Sequence, residues 1–536
     1  MDKVKLFFRN HWPLLAGVGV LYGLVLWCLL SLLRLNDGHF VYTLDDPYIH
    51  MAMAKNVVRH GVWGITGHYF TSSSSSLIWT ALISICYFVF GVNDYTPLIL
   101  NILIATGLLI WLYAISKNIA QKQWMTAVLL ISVTVLTSLP NLIFMGMEHT
   151  LHLMMTILFA YFASADLSCS GDSTRNARIR LLILAPLLIL SRFEGLFMVF
   201  AVCCLYLARK RIIQAVTTGV SALLPIVIFG LISVSKGWLF LPNSVMLKGK
   251  HPAGFSFTAV MTFLNEAIDK AVMNPFLMRA LACAVILAVF FIIRTRKFWI
   301  RQTLLAVIFC CTMILHLLFA QIGWFFRYEA YLVGFGIFVS GFLLMPDNNS
   351  SETKRLLKSG GMTAVLFIIL VVVTPFDARS VHSTTRIPIA SNNIYDQQYQ
   401  MARFIKQFYN RQTVAFNDIG AVNYYADIRC LDLWGLASME TARLRMSRKY
   451  YVKNIEDIAK KYRVKIAILY DAWFPNLPES WLKAGEWIIF DNQVCGHNVV
   501  SFYAIDPDEH VRLSQTLKHF SPSLPSDVRY RFFDNP

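Results

Sequence analysis

Residues 42–79 read YTLDDPYIHMAMAKNVVRHGVWGITGHYFTSSSSSLIW. An apolar run near 12–33 precedes the stretch, and many more follow it. Two adjacent carboxylates, Asp45 and Asp46, thus stand just beyond the first run. Ionisable groups at a membrane boundary tend to mark function, so the use made of this pair decides how the rest of the chain is read.

Composition supports a membrane setting. Of 536 residues, 56% are hydrophobic and only 15% charged, and the mean hydropathy is +0.54. A soluble domain cannot expose that much apolar surface. Runs of about twenty residues cross a hydrocarbon core of roughly 30 Å as helix, whereas barrels show short alternating segments. The formal net charge is +17. Its basic residues lie in short loops between apolar runs, which indicates topology and not nucleic-acid binding. Most of the ten cysteines sit in apolar runs as small core residues, with no CxxC or Cys/His metal spacing. Cys430 and Cys495 lie in the polar C-terminal part and could pair in an oxidising compartment; the sequence leaves this open. No small-residue cleavage site follows the first run, so a retained anchor is expected.

Apolar segments fall near 12–33, 75–92, 97–116, 124–140, 149–166, 181–191, 195–208, 213–234, 276–293, 302–320, 330–345 and 361–375. Lys3, Lys5 and Arg9 put the N-terminus in the cytoplasm, and Asp45 and Asp46 outside. The later basic loops are Lys117/Lys122, Arg175/Arg178/Arg180, Arg209/Lys210/Arg211, Arg294/Arg296/Lys297/Arg301 and Lys354/Arg355/Lys358. Two apolar segments separate each from the next, so all share one side. That side is cytoplasmic only if 75–92 does not cross. The charge rule therefore favours about eleven spans, with 75–92 as a juxtamembrane or re-entrant helix entered through the run Ser72–Ser76. Five further segments then join the aspartates outside: PNLIFMGMEHT (140–150), SRFEG (191–195), KGWLFLPNSVMLKGK (236–250), QIGWFFRYE (321–329) and everything after about 376.

The expected division is a transmembrane part, 1–375, and an extracytoplasmic α/β domain, 376–536, joined by a linker at Arg379–Ser391. Residues 413–418, 465–470, 486–490 and 498–505 read as strands, and 398–409 and 454–462 as helices. No GxGxxG or GxxxxGK[ST] supports nucleotide binding.

Asp46-Pro47 opens a helix that Gly61 should close, with Asp46 as its N-cap. Asp45 is not needed for that cap. Glu148 opens an apolar run and is either a first-turn acid or a site residue, with His149 and His152 close enough to join it around a metal. Arg192 and Glu194 read as a structural ion pair or as site residues. Lys248, Lys250 and Arg327 are cations on the outer side, placed to snorkel or to bind an anion. Carboxylates for acid–base work, outward cations and a lipid boundary together suit glycosyl transfer from a polyprenyl-phosphate sugar.

In DDPYIHMAMAKNVVRHG, GMEHTL, SRFEG, LPNSVMLKG and FNDIGAVNYYADIRCLDLWGL, in that order, the chain resembles the GT-C superfamily of polyprenyl-phosphate-sugar glycosyltransferases, in particular the bacterial arabinofuranosyltransferase-like branch. The resemblance implies a multispan helical bundle with a juxtamembrane helix in the first outer loop. It implies an inverting displacement in the bacterial cytoplasmic membrane, with the site outside. Its implied partners are a polyprenyl-phosphate sugar donor, a glycan or lipid-linked acceptor, and membrane lipid. Asp45 matches the catalytic base, with Asp46 and Glu148 as the other acidic positions. Lys248, Arg327, Arg192 and Asn243 would bind the donor phosphate. Asp46, Glu148 and His149 would hold a divalent metal, Mg2+ or Mn2+. A lipid-sugar flippase is the competing reading; it would use polar mid-span residues such as Asn101 and His316. A polysaccharide ligase is a near neighbour, and an envelope scaffold leaves Asp45 and Glu148 without a role.

Overall fold

A computed structural model describes residues 2–120, 122–169, 175–248, 257–344 and 378–533. The first part is helical: α1 Asp2–Leu35, α2 Asp46–His60, α3 Leu77–Phe90, α4 Thr96–Ile119, α5 Gln123–Leu136, α6 Leu139–Phe144, α7 His149–Ser168, α8 Arg175–Ser191, α9 Gly195–Ala208, α10 Ile212–Ser235, α11 Asn243–Lys248, α12 Phe257–Met273, α13 Pro275–Thr295, α14 Arg301–Phe319 and α15 Ala330–Leu344. Among the described residues five helices, α1, α4, α7, α10 and α14, are each long and apolar enough to cross a bilayer, or six spans if the bent pair α12–α13 is counted as one. The shorter apolar helices α3, α5, α9 and α15 pack among them. Leu26, Leu103, Leu223 and Leu231 point outward from their helices, as lipid-facing residues do. α7 is the most enclosed of the five long apolar helices. The expected last span, 361–375, and the Lys354/Arg355/Lys358 loop lie outside the described residues.

α2 follows its sequence signals. Pro47 sits in the first turn, and Gly61 ends the helix with φ 66°. Asp46 is the first helical residue and not the cap, because Asp45 occupies the position before it; neither caps α2 with its side chain. α3 has 14 residues, about 21 Å of helix and short of a crossing. Its N-cap is Ser76, whose hydroxyl accepts from Trp79 N.

The linker expected at Arg379–Ser391 is instead helix, half-buried over 378–385 and largely buried over Ile387–Ile394. Its polar residues have partners in the helical bundle. Ser383 donates to Ser138 (2.6 Å), Ser380 to the Val135 carbonyl, and Arg379 pairs with Glu329 (2.9 Å). A π-turn, Tyr395–Tyr399, leads into helix Gln400–Phe408.

Beyond it lies a six-stranded sheet of order β2-β1-β3-β5-β4-β6. The strands are β1 Thr413–Phe416, β2 Arg429–Asp432, β3 Ile466–Leu469, β4 Leu482–Ile488, β5 Val499–Ala504 and β6 Arg529–Phe532. β2, β1 and β3 are parallel; β5, β4 and β6 continue antiparallel. Cys430 and Cys495 are both buried and free, so they do not form a disulfide.

Candidate active site

All six segments expected on one side meet at one cavity. It measures about 460 Å3 and takes Asp46 from α2, Met147 from the turn before α7, Arg192 and Glu194 from the α8–α9 turn, Ser244 from α11, Arg327 from the segment before α15, and Leu436 from the sheet domain. Ser73 and Ser75 of the serine run join them. One end is polar. The remaining wall is apolar and includes Leu223, Ile226 and Val227 of α10, a helix long enough to span a bilayer.

Glu148 is fully buried, at the turn before α7. Gly146 makes that turn at φ 67°, and a Cβ there would lie 2.6 Å from the Tyr42 ring. Trp79 and Asn101 fix the turn by donating to the carbonyls of Gly146 and Met147, each at 3.1 Å. The Glu148 carboxylate accepts from Arg192 at 2.7 Å and from Ser75 at 3.1 Å. His50 Nε2 lies 3.6 Å from its other oxygen. Arg192 also forms a two-pronged pair with Glu194, at 2.7 and 3.2 Å. Burial pushes the Glu194 carboxyl up, but Arg192 more than offsets this and holds it at about 2.

Arg327 follows four left-handed residues, Gly323 to Phe326, with φ between 45° and 87°. Three of the four are aromatic, so this turn is strained. Asn141 and Arg379 hold it through the carbonyls of Phe325 and Phe326. The turn delivers a buried guanidinium whose Nη2 lies 2.5 Å from Asp46 and 3.0 Å from the Tyr328 hydroxyl. Its Nε is buried and meets no acceptor among the described residues. The Tyr328 ring carries both guanidiniums, Arg327 at 4.8 Å and Arg192 at 5.6 Å.

Asp45 points elsewhere. Its two oxygens accept from the backbone amides of Gly420 (2.7 Å) and Ala421 (2.8 Å), and it does not line the cavity. Burial and the nearby charge of Asp418 hold its carboxyl well above the usual range. Asp418 is itself raised by burial and accepts from Tyr470 at 2.7 Å and Gln398 at 3.0 Å.

The expected metal set is not assembled. Asp46 faces Arg327, Glu148 faces Arg192, and His149 Nε2 lies 3.4 Å from Arg192. Guanidiniums stand where a cation would sit. Among the described residues no three His, Cys, Asp or Glu side chains are grouped to hold an ion. Asn243 serves as a tie, its amide group donating to the Gly435 carbonyl at 2.9 Å and its backbone N–H to that of Ser72 at 2.8 Å. Lys248 ends α11, four residues after the cavity-lining Ser244; its side chain and Lys250 lie outside the described residues. Asn101 and His316, on which a transport path would rest, are buried and bonded locally, to Met147 O and to Tyr331. Sequence reasoning missed His50 and Ser75. His50 was within reach of it, because it lies one turn after Asp46 on the same face of α2.

Comparison with known proteins bears on fold. A family profile described as a domain of unknown function, DUF8728, matches residues 392–503. Among solved structures, ArnT from Cupriavidus metallidurans bound to undecaprenyl phosphate shares the fold with a TM-score of 0.50 at 11% identity, over 91% of this chain and 98% of that one. The apo form of the same protein gives 0.50 and 11%, over 92% and 99%. The chain thus shares the fold of ArnT. No curated protein matches it.

Proposed function

We propose that this protein is a glycosyltransferase that moves a sugar from a polyprenyl-phosphate donor to an envelope glycan or lipid acceptor, at the outer face of the bacterial cytoplasmic membrane. One observation carries the reading: a single cavity joins the ion pair of the buried Arg327 and the partly exposed Asp46 to an apolar wall built partly by the span-length helix α10. A phosphate needs the first and a prenyl chain the second. The ArnT structure with undecaprenyl phosphate bound supports the same donor class.

The two arginines divide the work. Arg192 already serves two carboxylates, so it braces the turns that carry Glu148 and Glu194. Arg327 serves one carboxylate and keeps a spare donor. A donor phosphate arriving at Arg327 competes with Asp46 and releases it. Asp46 then takes the proton of the acceptor hydroxyl while that oxygen bonds to the anomeric carbon and the carbon–phosphate oxygen bond breaks. Polyprenyl phosphate leaves on Arg327, the electrostatic step of greatest expected weight, and a single displacement inverts the anomeric centre. Two carboxylates, Asp46 and Glu194, already balance the two guanidiniums that line the cavity, so an arriving phosphate calls for another cation, and Lys248 is the candidate.

The test is release of polyprenyl phosphate by the purified chain in lipid nanodiscs, from a panel of polyprenyl-phosphate sugars with envelope glycan extract as acceptor. Turnover that Asp46→Asn abolishes with donor binding retained supports the reading. A wild type that turns over no donor but moves labelled lipid-linked sugar across liposomes overturns it.

A further inference from the structure

We infer that the segment matched as a domain of unknown function, residues 392–503, is a working part of the catalytic site, and that Asp45 and Lys55 are the positioning residues that dock it there. The inference rests on the glycosyltransferase reading only for its kinetic arm.

The docking contact is a grip at both ends. The sheet domain offers a short helix, Gly420–Tyr425. A six-residue helix consists almost wholly of ends, whose amides and carbonyls lack partners within it, and it is too short to persist alone. α2 supplies both sets of partners. Asp45 takes the amides of Gly420 and Ala421. Ten residues on, Lys55 Nζ donates to the carbonyls of Asn423 (2.8 Å) and Tyr424 (2.6 Å). The approach is close enough to need glycine: a Cβ on Gly420 would stand 2.1 Å from the Asp45 carbonyl oxygen. Tyr424 and Tyr425 extend the contact by donating to the Asp94 carboxylate at 2.8 and 3.1 Å.

What this grip fixes is the cavity. Asp46 and His50, one and five residues after Asp45, both line it. Tilting α2 by loosening either end would move both. The sheet domain also reaches the cavity a second time. Asp432 accepts from the amides of Trp434 and Ala437, each at 2.7 Å, and folds 432–437 into a tight loop. Asn243 holds that loop at Gly435, and Leu436 enters the cavity wall. A module that only bound a distant partner would need neither contact.

The experiment uses the full chain in nanodiscs and compares Lys55→Met, Lys55→Arg, Asp45→Asn and the Asp45→Asn/Lys55→Met double variant. Amide hydrogen exchange over 420–425 reports docking; steady-state kinetics on the polyprenyl-phosphate sugar report the site. We expect Lys55→Met to speed exchange at 420–425 and lower kcat about tenfold, with donor KM held within about twofold, the scale of one lost charge-assisted contact. Lys55→Arg should restore both. The double variant should be no worse than the weaker single, since both residues act through one helix. Faster exchange at full kcat would make the grip merely structural and overturn the inference. So would unchanged exchange in Lys55→Met, or full additivity in the double variant. A wild type inactive on every donor would sink the glycosyltransferase reading instead, and exchange would still decide whether α2 holds the helix.

Discussion

The two arginine centres of the cavity share one tyrosine ring, Tyr328, yet they are built to opposite plans. Around Arg192 every guanidinium nitrogen is matched, by two carboxylates through three contacts in an enclosed setting. Around Arg327 the matching is incomplete, with one carboxylate, a sulfur contact to Met147 at 3.0 Å and an unused Nε. Buried charges that are fully compensated hold structure; a buried charge with spare capacity can exchange partners. The same residue type thus serves once as a brace and once as a receptor.

Removing the brace should have the largest effect. Arg192→Met deprives both Glu148 and Glu194 of their shared counter-charge, and should cost about 3–5 kcal/mol of stability, read as a lower melting temperature in detergent. If Arg192→Met melts like the wild type, the brace assignment fails. Arg327→Met should leave the melting temperature closer to wild type and lower kcat/KM about 10^2–10^3-fold, as when a preorganised donor to a developing charge is lost. A smaller change is expected from Glu194→Gln. The Glu194 carboxyl is held at about 2 against an ordinary 4.5. Its contribution is therefore complete above about pH 5 and lost as pH falls toward 2. The variant should be less stable by about 1–3 kcal/mol at pH 7, and the gap should narrow in melts at lower pH. A constant gap would show that the loss is packing and not charge. The finest distinction is product inhibition: polyprenyl phosphate should inhibit wild type and Glu194→Gln within about threefold of one another, and Arg327→Met at least tenfold more weakly.

Much of this arrangement was legible in the order of the residues. Counting basic loops put six segments on one side, and the cavity takes at least one residue from each. Pro47 and Gly61 bounded α2. β1, β3 and β5 were readable as apolar runs because they lie inside the sheet. β2 and β6 were not. They are its edges, four residues each, reading RCLD and RYRF, and an edge needs no apolar run. The aspartate pair could be found but not resolved. Which of two adjacent carboxylates faces a cavity depends on the rotation of α2, and that is set by residues 420–425, far away in the chain. The linker at 379–391 was misread because the partners of its serines, at Ser138, Val135 and Val41, lie far away in the chain.

The grip on Gly420 has a consequence for how the molecule is made. Asp45 emerges from the ribosome 375 residues before the amide it will bind. At about 5–20 residues per second that is a delay of roughly 20–75 s. Throughout it, α2 must wait beside the first span with its acid and its lysine unpartnered. The cavity can close only when the last domain arrives, so a chain that stalls or is cut short before residue 420 carries the acidic pair, the serine run and both arginines without the helix that sets them in register.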